Sequence, residues 1–214
     1  MNYDLKKYKH IIWDWNGTLL DDLWLGIEVL NILLQRRRLP KVATAEYLDI
    51  FDFPVMDYYS KVGFNFAKES FEDIAAEYVE LYYGRVNECN LRVGISKALE
   101  YIDIRGVKQI VLSATEDKAL KKVVTKFGIN HHFAEIRGIK NHFAESKVDL
   151  GKNLLSDLNI DASEVLLIGD TTHDLKVANE IGAKCILITG GHQSYRKLAS
   201  SNADIIVSID SIFL

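Results

Sequence analysis

Short apolar runs alternate with helical patterns through the second half of the chain, and that alternation limits the fold more than any other feature. From about Leu91 onward, Ile95 to Ile104 has the apolar spacing of a helix and Val107 to Ser113 the look of a buried strand. Glu116 to Phe127 reads as a helix stopped by Gly128. Phe133 to Ile136 follows as a short strand, Lys147 to Leu158 as a helix and Val165 to Ile168 as a strand. Leu175 to Ile181 is a helix ended by Gly182, Cys185 to Ile188 a strand, Tyr195 to Ser200 a short helix and Ile205 to Val207 a last strand. Runs that are apolar at every position belong to strands buried on both faces, and the intervening helices supply the cover. The prediction is an α/β fold built on a doubly wound parallel sheet.

One more strand, Tyr8 to Trp13, lies far upstream. Between it and the alternating half, Leu20 to Glu88 carries helical spacing only: Leu23, Ile27, Leu30, Leu33 and Leu34, then Phe71, Ile74, Ala75, Tyr78, Leu81 and Tyr82. Leu39-Pro40 and Phe53-Pro54 punctuate this segment, and no strand is expected in it. The expected organisation is a core from residues 1–19 and 89–214 with a helical unit, 20–88, inserted after the first strand. A chain of 214 residues, 48% hydrophobic, is long enough for that arrangement. A net charge of -4 gives no basic face, so no nucleic-acid partner is expected. No stretch reaches the length of a membrane span, and Asp14 interrupts the only N-terminal apolar run, so neither membrane nor signal peptide is expected and the cytoplasm is the default location. Cys89 and Cys185 are expected as reduced thiols, Cys185 in a strand. Arg36-Arg37-Arg38 is read as a solvated helix end rather than an anion contact.

In open α/β sheets ligands bind beyond the carboxyl ends of the strands. There the first strand presents Asp14-Trp15-Asn16-Gly17-Thr18, with Asp21 close behind. Later strands present Ser113-Ala114-Thr115-Glu116, Gly169-Asp170-Thr171-Thr172-His173-Asp174, and Thr189-Gly190-Gly191-His192. A carboxylate directly after a buried strand is costly to desolvate unless something pairs with it. Two such strands in one sheet point to a shared cation, and all-oxygen surroundings suit magnesium. Each segment alone has a plainer reading, since Asp-x-Asn-Gly also makes turns and an Asp also caps helices. Their joint placement at strand ends favours a site. Asp21, Asp22 and His192 are assigned to a helix cap and a loop, and His173 to a spacer.

The chain resembles the haloacid dehalogenase superfamily, specifically its phosphoglycolate-phosphatase-like branch, in which a small helical cap is inserted after the first motif of a Rossmann-like core. Asp14-Trp15-Asn16-Gly17-Thr18 is similar to the family's Asp-x-Asp-Gly-Thr, Ser113 to its strand-closing Ser or Thr, and Gly169 to Asp174 to its Gly-Asp-x-x-x-Asp. Lys147, in Glu145-Ser146-Lys147, is chosen as the family's lysine over Lys140 and Lys152. Phe53-Pro54-Val55-Met56-Asp57-Tyr58-Tyr59 resembles the branch's cap, where Phe53, Tyr58, Tyr59 and Phe64 are expected mainly to pack. The resemblance implies Asp14 as a nucleophile that forms an aspartyl-phosphate. Magnesium would be held by Asp14, the main-chain carbonyl of Asn16, Asp170 and Asp174. It implies Ser113 and the N–H of Ala114 as phosphate ligands, Lys147 as a neutralising charge, Thr18 as an orienting group, and a small phosphorylated metabolite as substrate.

Asn16 departs from the family, whose phosphatases place there the Asp that protonates the leaving oxygen and later activates water. Asn cannot exchange a proton, and losing a general acid–base typically slows turnover by ~10²–10⁴. The sequence therefore implies a slow phosphatase, with a phosphotransferase or a phosphate-binding regulatory protein as alternatives. It also predicts that Asn16→Asp raises turnover.

Overall fold

The computed structural model describes residues 5–140 and 146–212, so that Glu145, beside Lys147, lies outside the described residues. In chain order the elements are β1 (His10–Trp13), β2 (Leu20–Asp21), α1 (Leu23–Arg36), α2 (Thr44–Ile50), α3 (Val55–Lys61), α4 (Phe71–Arg85), β3 (Asn90–Leu91) and α5 (Ile95–Ile104). They continue with β4 (Lys108–Glu116), α6 (Asp117–Lys126), β5 (Phe133–Ile139), α7 (Lys147–Leu158), β6 (Val165–Gly169), α8 (Thr172–Ile181), β7 (Lys184–Ile188), α9 (Tyr195–Ala199) and β8 (Asp204–Ile206).

Six strands form one parallel sheet in the order β5-β4-β1-β6-β7-β8. β1 is central, with Ile12 opposite Ile110 on one side and Leu167 on the other. The chain builds outward from β1 in one direction through β4 and β5, then in the other through β6, β7 and β8. That reversal opens a crevice at the carboxyl ends of the central strands. Alternation along each strand sorts the side chains to two faces. Ile11, Trp13, Val111, Leu166 and Ile168 pack with residues of α5 and α6, while Ile12, Ile110, Leu112, Leu167 and Leu187 pack with residues of α7 and α8. The Trp13 indole N–H, carried into this core, donates to the Gln109 side chain at 3.0 Å.

Helices α1 to α4 form the predicted insertion. Ile27, Leu30, Leu33, Tyr58, Tyr59, Phe64 and Ile74 make an apolar cluster of their own, while Leu25, Val29 and Tyr82 join the cluster under the sheet. Two details differ from the sequence reading. The inserted segment does contain strand, because β2 pairs antiparallel with β3, Leu20 opposite Leu91 and Asp21 opposite Asn90. A two-residue ladder is too short to leave a periodic signal. In the arginine block Arg36 and Arg38 are exposed, as read, but Arg37 is half-buried and the block also makes ion pairs. Arg36 pairs with Glu77, and Arg37 with Glu69 at 2.5 Å and Glu77 at 2.7 Å, which fastens α1 to α4. Cys89 and Cys185 are both buried and unpaired. Among the described residues, no helix is long and apolar enough to cross a membrane.

Candidate active site

Asp14 leaves β1 with its backbone fixed, its N–H donating to the Ile168 carbonyl at 2.9 Å. Lys147 reaches it from the first residue of α7. That helix start is set by Ser146, whose hydroxyl accepts from the Asp149 N–H at 3.1 Å and donates to the Asp149 carboxylate at 2.7 Å. The buried Lys147 ammonium then donates to Asp14 and, at 2.6 Å, to Asp174. Lys152 is exposed and pairs with Glu180 at 3.1 Å, and Lys140 is exposed just past β5. Of the three lysines weighed from sequence, Lys147 is the one whose ammonium is buried between the Asp14 and Asp174 carboxylates.

Asp174 divides its oxygens. One accepts from Lys147, and the other from the Thr171 N–H at 3.0 Å and the Thr171 hydroxyl at 2.7 Å. Asp170, directly after β6, accepts from the Thr18 hydroxyl at 3.0 Å and from the His192 N–H at 2.6 Å. Two glycines admit its carboxylate. A Cβ on Gly17, which has φ +71°, would lie 2.3 Å from the Asp170 carboxylate, and one on Gly191 would lie 2.2 Å from it.

Asp14, Asp170 and Asp174 are all buried, and each offers an oxygen within 4.8 Å of the others. Burial pushes the Asp14 carboxyl well up, with Asp174 and Asp170 adding to the effect and Lys147 opposing it. Burial likewise raises Asp170 to about 6. Burial alone would lower Lys147, but the Asp14 and Asp174 carboxylates outweigh it and hold the ammonium firmly charged. The all-oxygen donor set of these three carboxylates fits a hard divalent ion.

Ser113 is buried near the end of β4, the strand beside β1, and its hydroxyl accepts from the Thr115 N–H at 3.1 Å. Ala114 is half-buried next to it. Asn16 is half-buried, and its side chain is engaged by Asp22, Tyr82 and Thr115. His173 is not an isolated spacer, since its ring stacks on Phe53 of the insertion at 4.3 Å between centroids. Burial lowers it to about 4. Tyr58, Tyr59 and Phe64 pack the insertion, as expected.

Asp22 and His192 exceed the roles read from sequence. Asp22 occupies the N-cap position of α1 without making a cap bond. Its carboxylate instead meets Gly17, Asn16, Tyr82 and His192. The His192 ring also reaches the Tyr47 hydroxyl at 2.8 Å. Burial alone would lower His192, but Asp22 outweighs it and holds the ring at about 9. The only signal in sequence is their position, just beyond β1 and β7, which does not separate a cap or loop residue from a site residue.

A model of the haloacid dehalogenase-like hydrolases matches residues 11–188. A phosphoglycolate phosphatase of Haemophilus influenzae is 26% identical over 92% of this chain and 93% of its own. The fold is similar to that of a haloacid dehalogenase-like hydrolase of Streptococcus pneumoniae, with a TM-score of 0.83 and 19% identity over 97% of this chain and 98% of that one. It is also similar to protein tyrosine kinase A of Mycobacterium tuberculosis, with a TM-score of 0.80 and 22% identity over 96% of each chain.

Proposed function

The chain belongs to the haloacid dehalogenase-like hydrolase family, and from that premise we propose that it is a magnesium-dependent phosphatase of a small phosphorylated metabolite, with Asp14 as nucleophile. The observation that carries this reading is the buried constellation itself: Lys147 held between Asp14 and Asp174, with Asp170 within 4.8 Å. The Haemophilus influenzae relative is named for action on phosphoglycolate, which supports a small phosphorylated substrate. Residues 20–88 serve as the cap over the site and 1–19 with 89–214 as the catalytic core. The separate apolar cluster of the insertion and the β2–β3 ladder at its base support that division.

In the first step an Asp14 oxygen forms a bond to phosphorus while the ester oxygen departs with its electron pair. Lys147 already holds one Asp14 oxygen, which leaves the other to attack in a fixed orientation. The Ser113 hydroxyl, which accepts from Thr115, keeps its hydrogen to donate to a phosphoryl oxygen, alongside the Ala114 N–H. Magnesium held by Asp14, Asp170, Asp174 and the Asn16 carbonyl would keep Asp14 ionised and offset charge on the phosphoryl group. Thr18 fixes Asp170 for that task. In the second step water attacks phosphorus, the bond from phosphorus to the Asp14 oxygen breaks with its electron pair returning to Asp14, and the proton of the water passes to the released phosphate. Asn16 can neither give the departing ester oxygen a proton in the first step nor take one from water in the second, so leaving groups that need no proton react best.

A purified-protein assay with an aryl phosphate, with and without magnesium, tests the reading against Asp14→Asn. Release is expected to require both magnesium and Asp14. Equal release by the Asp14→Asn control, on the aryl phosphate and on a panel of phosphorylated metabolites, overturns it. Asn16 also favours a second reading, in which the aspartyl-phosphate accumulates and is passed to an acceptor other than water. A stoichiometric burst followed by slow release, accelerated by added alcohols, distinguishes that outcome.

A further inference from the structure

Asn16 spends every polar atom of its side chain away from the carboxylate cluster. Its amide nitrogen donates to Asp22 at 2.8 Å and to the Tyr82 hydroxyl oxygen at 2.8 Å, and its oxygen accepts from the Thr115 hydroxyl at 3.0 Å. The neighbouring carboxylate fixes which end of the amide faces it, because only the NH₂ can donate. Asp22 is equally full. One oxygen accepts from the Gly17 N–H at 2.7 Å and from the His192 ring at 3.2 Å, the other from Asn16 and from the Tyr82 hydroxyl at 2.7 Å. The partners come from different elements. Asn16 and Gly17 lie in the loop after β1, Asp22 at the start of α1, Tyr82 on α4, Thr115 near the end of β4 and His192 beyond β7.

We propose that Asn16 is a positioning residue, an amide that the buried Asp22 requires, and that the pair fastens the insertion to the loop carrying the nucleophile. An Asp at position 16 would set two carboxylates where a donor and an acceptor now meet at 2.8 Å, with the single Tyr82 hydroxyl hydrogen between them. The geometry thus reverses the expectation that restoring the family's Asp raises turnover. A carboxylate fits at position 16 only when Asp22 gives up its own, because one acceptor and one donor are then again face to face. The turnover part of this inference rests on Asp14 as the nucleophile, whereas the coupling between Asn16 and Asp22 does not.

The test is a cycle of four full-length proteins: wild type, Asn16→Asp, Asp22→Asn and the double variant. Thermal midpoints and magnesium-dependent release from an aryl phosphate are measured on each. Asn16→Asp is expected to melt about 10 °C lower, the size of effect that an unpaired buried charge produces in a chain of this length, and to release phosphate no faster than wild type. Asp22→Asn is expected to melt lower as well. The double variant should recover at least half of the combined loss, and should turn over faster than Asn16→Asp alone. Midpoint losses that simply add in the double variant, or an Asn16→Asp protein that melts with wild type and turns over faster, overturn the proposal. If a carboxylate variant does not fold, Tyr82→Phe reads the same network. Its midpoint loss should fall by at least half in the Asp22→Asn background, and equal losses in both backgrounds overturn the proposal. Failure of the wild type to exceed Asp14→Asn in release removes the phosphatase reading alone, since the midpoints still decide this one.

Discussion

Lys147 shows how much one side chain is asked to do. It is a buried ammonium between two buried carboxylates, so its charge is needed whether or not a phosphate is bound. Replacing it with methionine keeps most of its bulk and removes the charge. Phosphate release by Lys147→Met is expected to fall by ~10²–10³, the loss typical of removing one preorganised electrostatic partner. Lys152→Met, on an exposed residue paired only with Glu180, should release phosphate at the wild-type rate. Steady-state rates for the two variants check this, and equal rates would return the lysine role to the other candidates. Asp14 and Asp170 were legible in the sequence because a carboxylate straight after a continuous apolar strand has few cheap explanations, and Asp174 through the resemblance of Gly169 to Asp174 to the family's Gly-Asp-x-x-x-Asp. Asp22 and His192 were not. An Asp before a helix looks like a cap in any sequence, and the partners that show otherwise, Tyr82 and His192, lie 60 and 170 residues away.

The same site depends on where helices begin. α7 starts at Lys147 behind the N-cap Ser146, and the bonds between Ser146 and Asp149 place Lys147 in the first turn, with its ammonium on Asp14. Ser146→Ala removes the acceptor for the Asp149 N–H and is expected to destabilise by about 1 kcal/mol, a fall of about 3 °C in melting midpoint. It should also lower turnover more than it lowers stability at assay temperature, because the frayed turn is the one that carries Lys147. A melting curve and a rate measured on one preparation check both, and an unchanged midpoint would show that the cap bond does not hold the helix start. Elements were legible where periodicity ran for a full turn or strand. α7 matches the reading from Lys147 to Leu158, but α8 begins at Thr172, three residues before the expected Leu175. Its first turn, Thr172-His173-Asp174, is polar because it faces the site, so apolar spacing is silent there. β5 runs on to Ile139 rather than Ile136. Gly138 permits it, since a Cβ there would lie 2.3 Å from the Thr115 carbonyl, and such a close backbone approach leaves no trace in hydropathy.

At the scale of the molecule, two groups of hydrogen bonds join the insertion to the core, beside the β2–β3 ladder and the stack of Phe53 on His173. Around Asp22 the contact is buried. At the second place Ser194 donates its N–H to the Leu48 carbonyl at 2.9 Å and its hydroxyl to Asp49 at 2.7 Å, and Lys197 donates to the Phe51 carbonyl at 2.7 Å. His192 belongs to both, sitting next to the second segment while its ring meets Asp22 and Tyr47. This gives global stability a pH dependence of definite sign. The ring titrates near 6.5 when unfolded and at about 9 when folded, because Asp22 outweighs the effect of burial. A raised pKa means that the folded state holds the proton more tightly. The stabilisation is therefore fully present below pH 6.5 and is lost as pH rises through about 9. For a fully buried pair it is on the order of 3 kcal/mol. Thermal midpoints at fixed magnesium are expected to fall across that window in the wild type. His192→Gln, which keeps a donor for Asp22 without a titrating ring, should start lower at acidic pH and stay flat through it. A variant whose midpoint declines as steeply as the wild type would place the titrating group elsewhere, and would leave the buried contact around Asp22 with no charge of its own to lose.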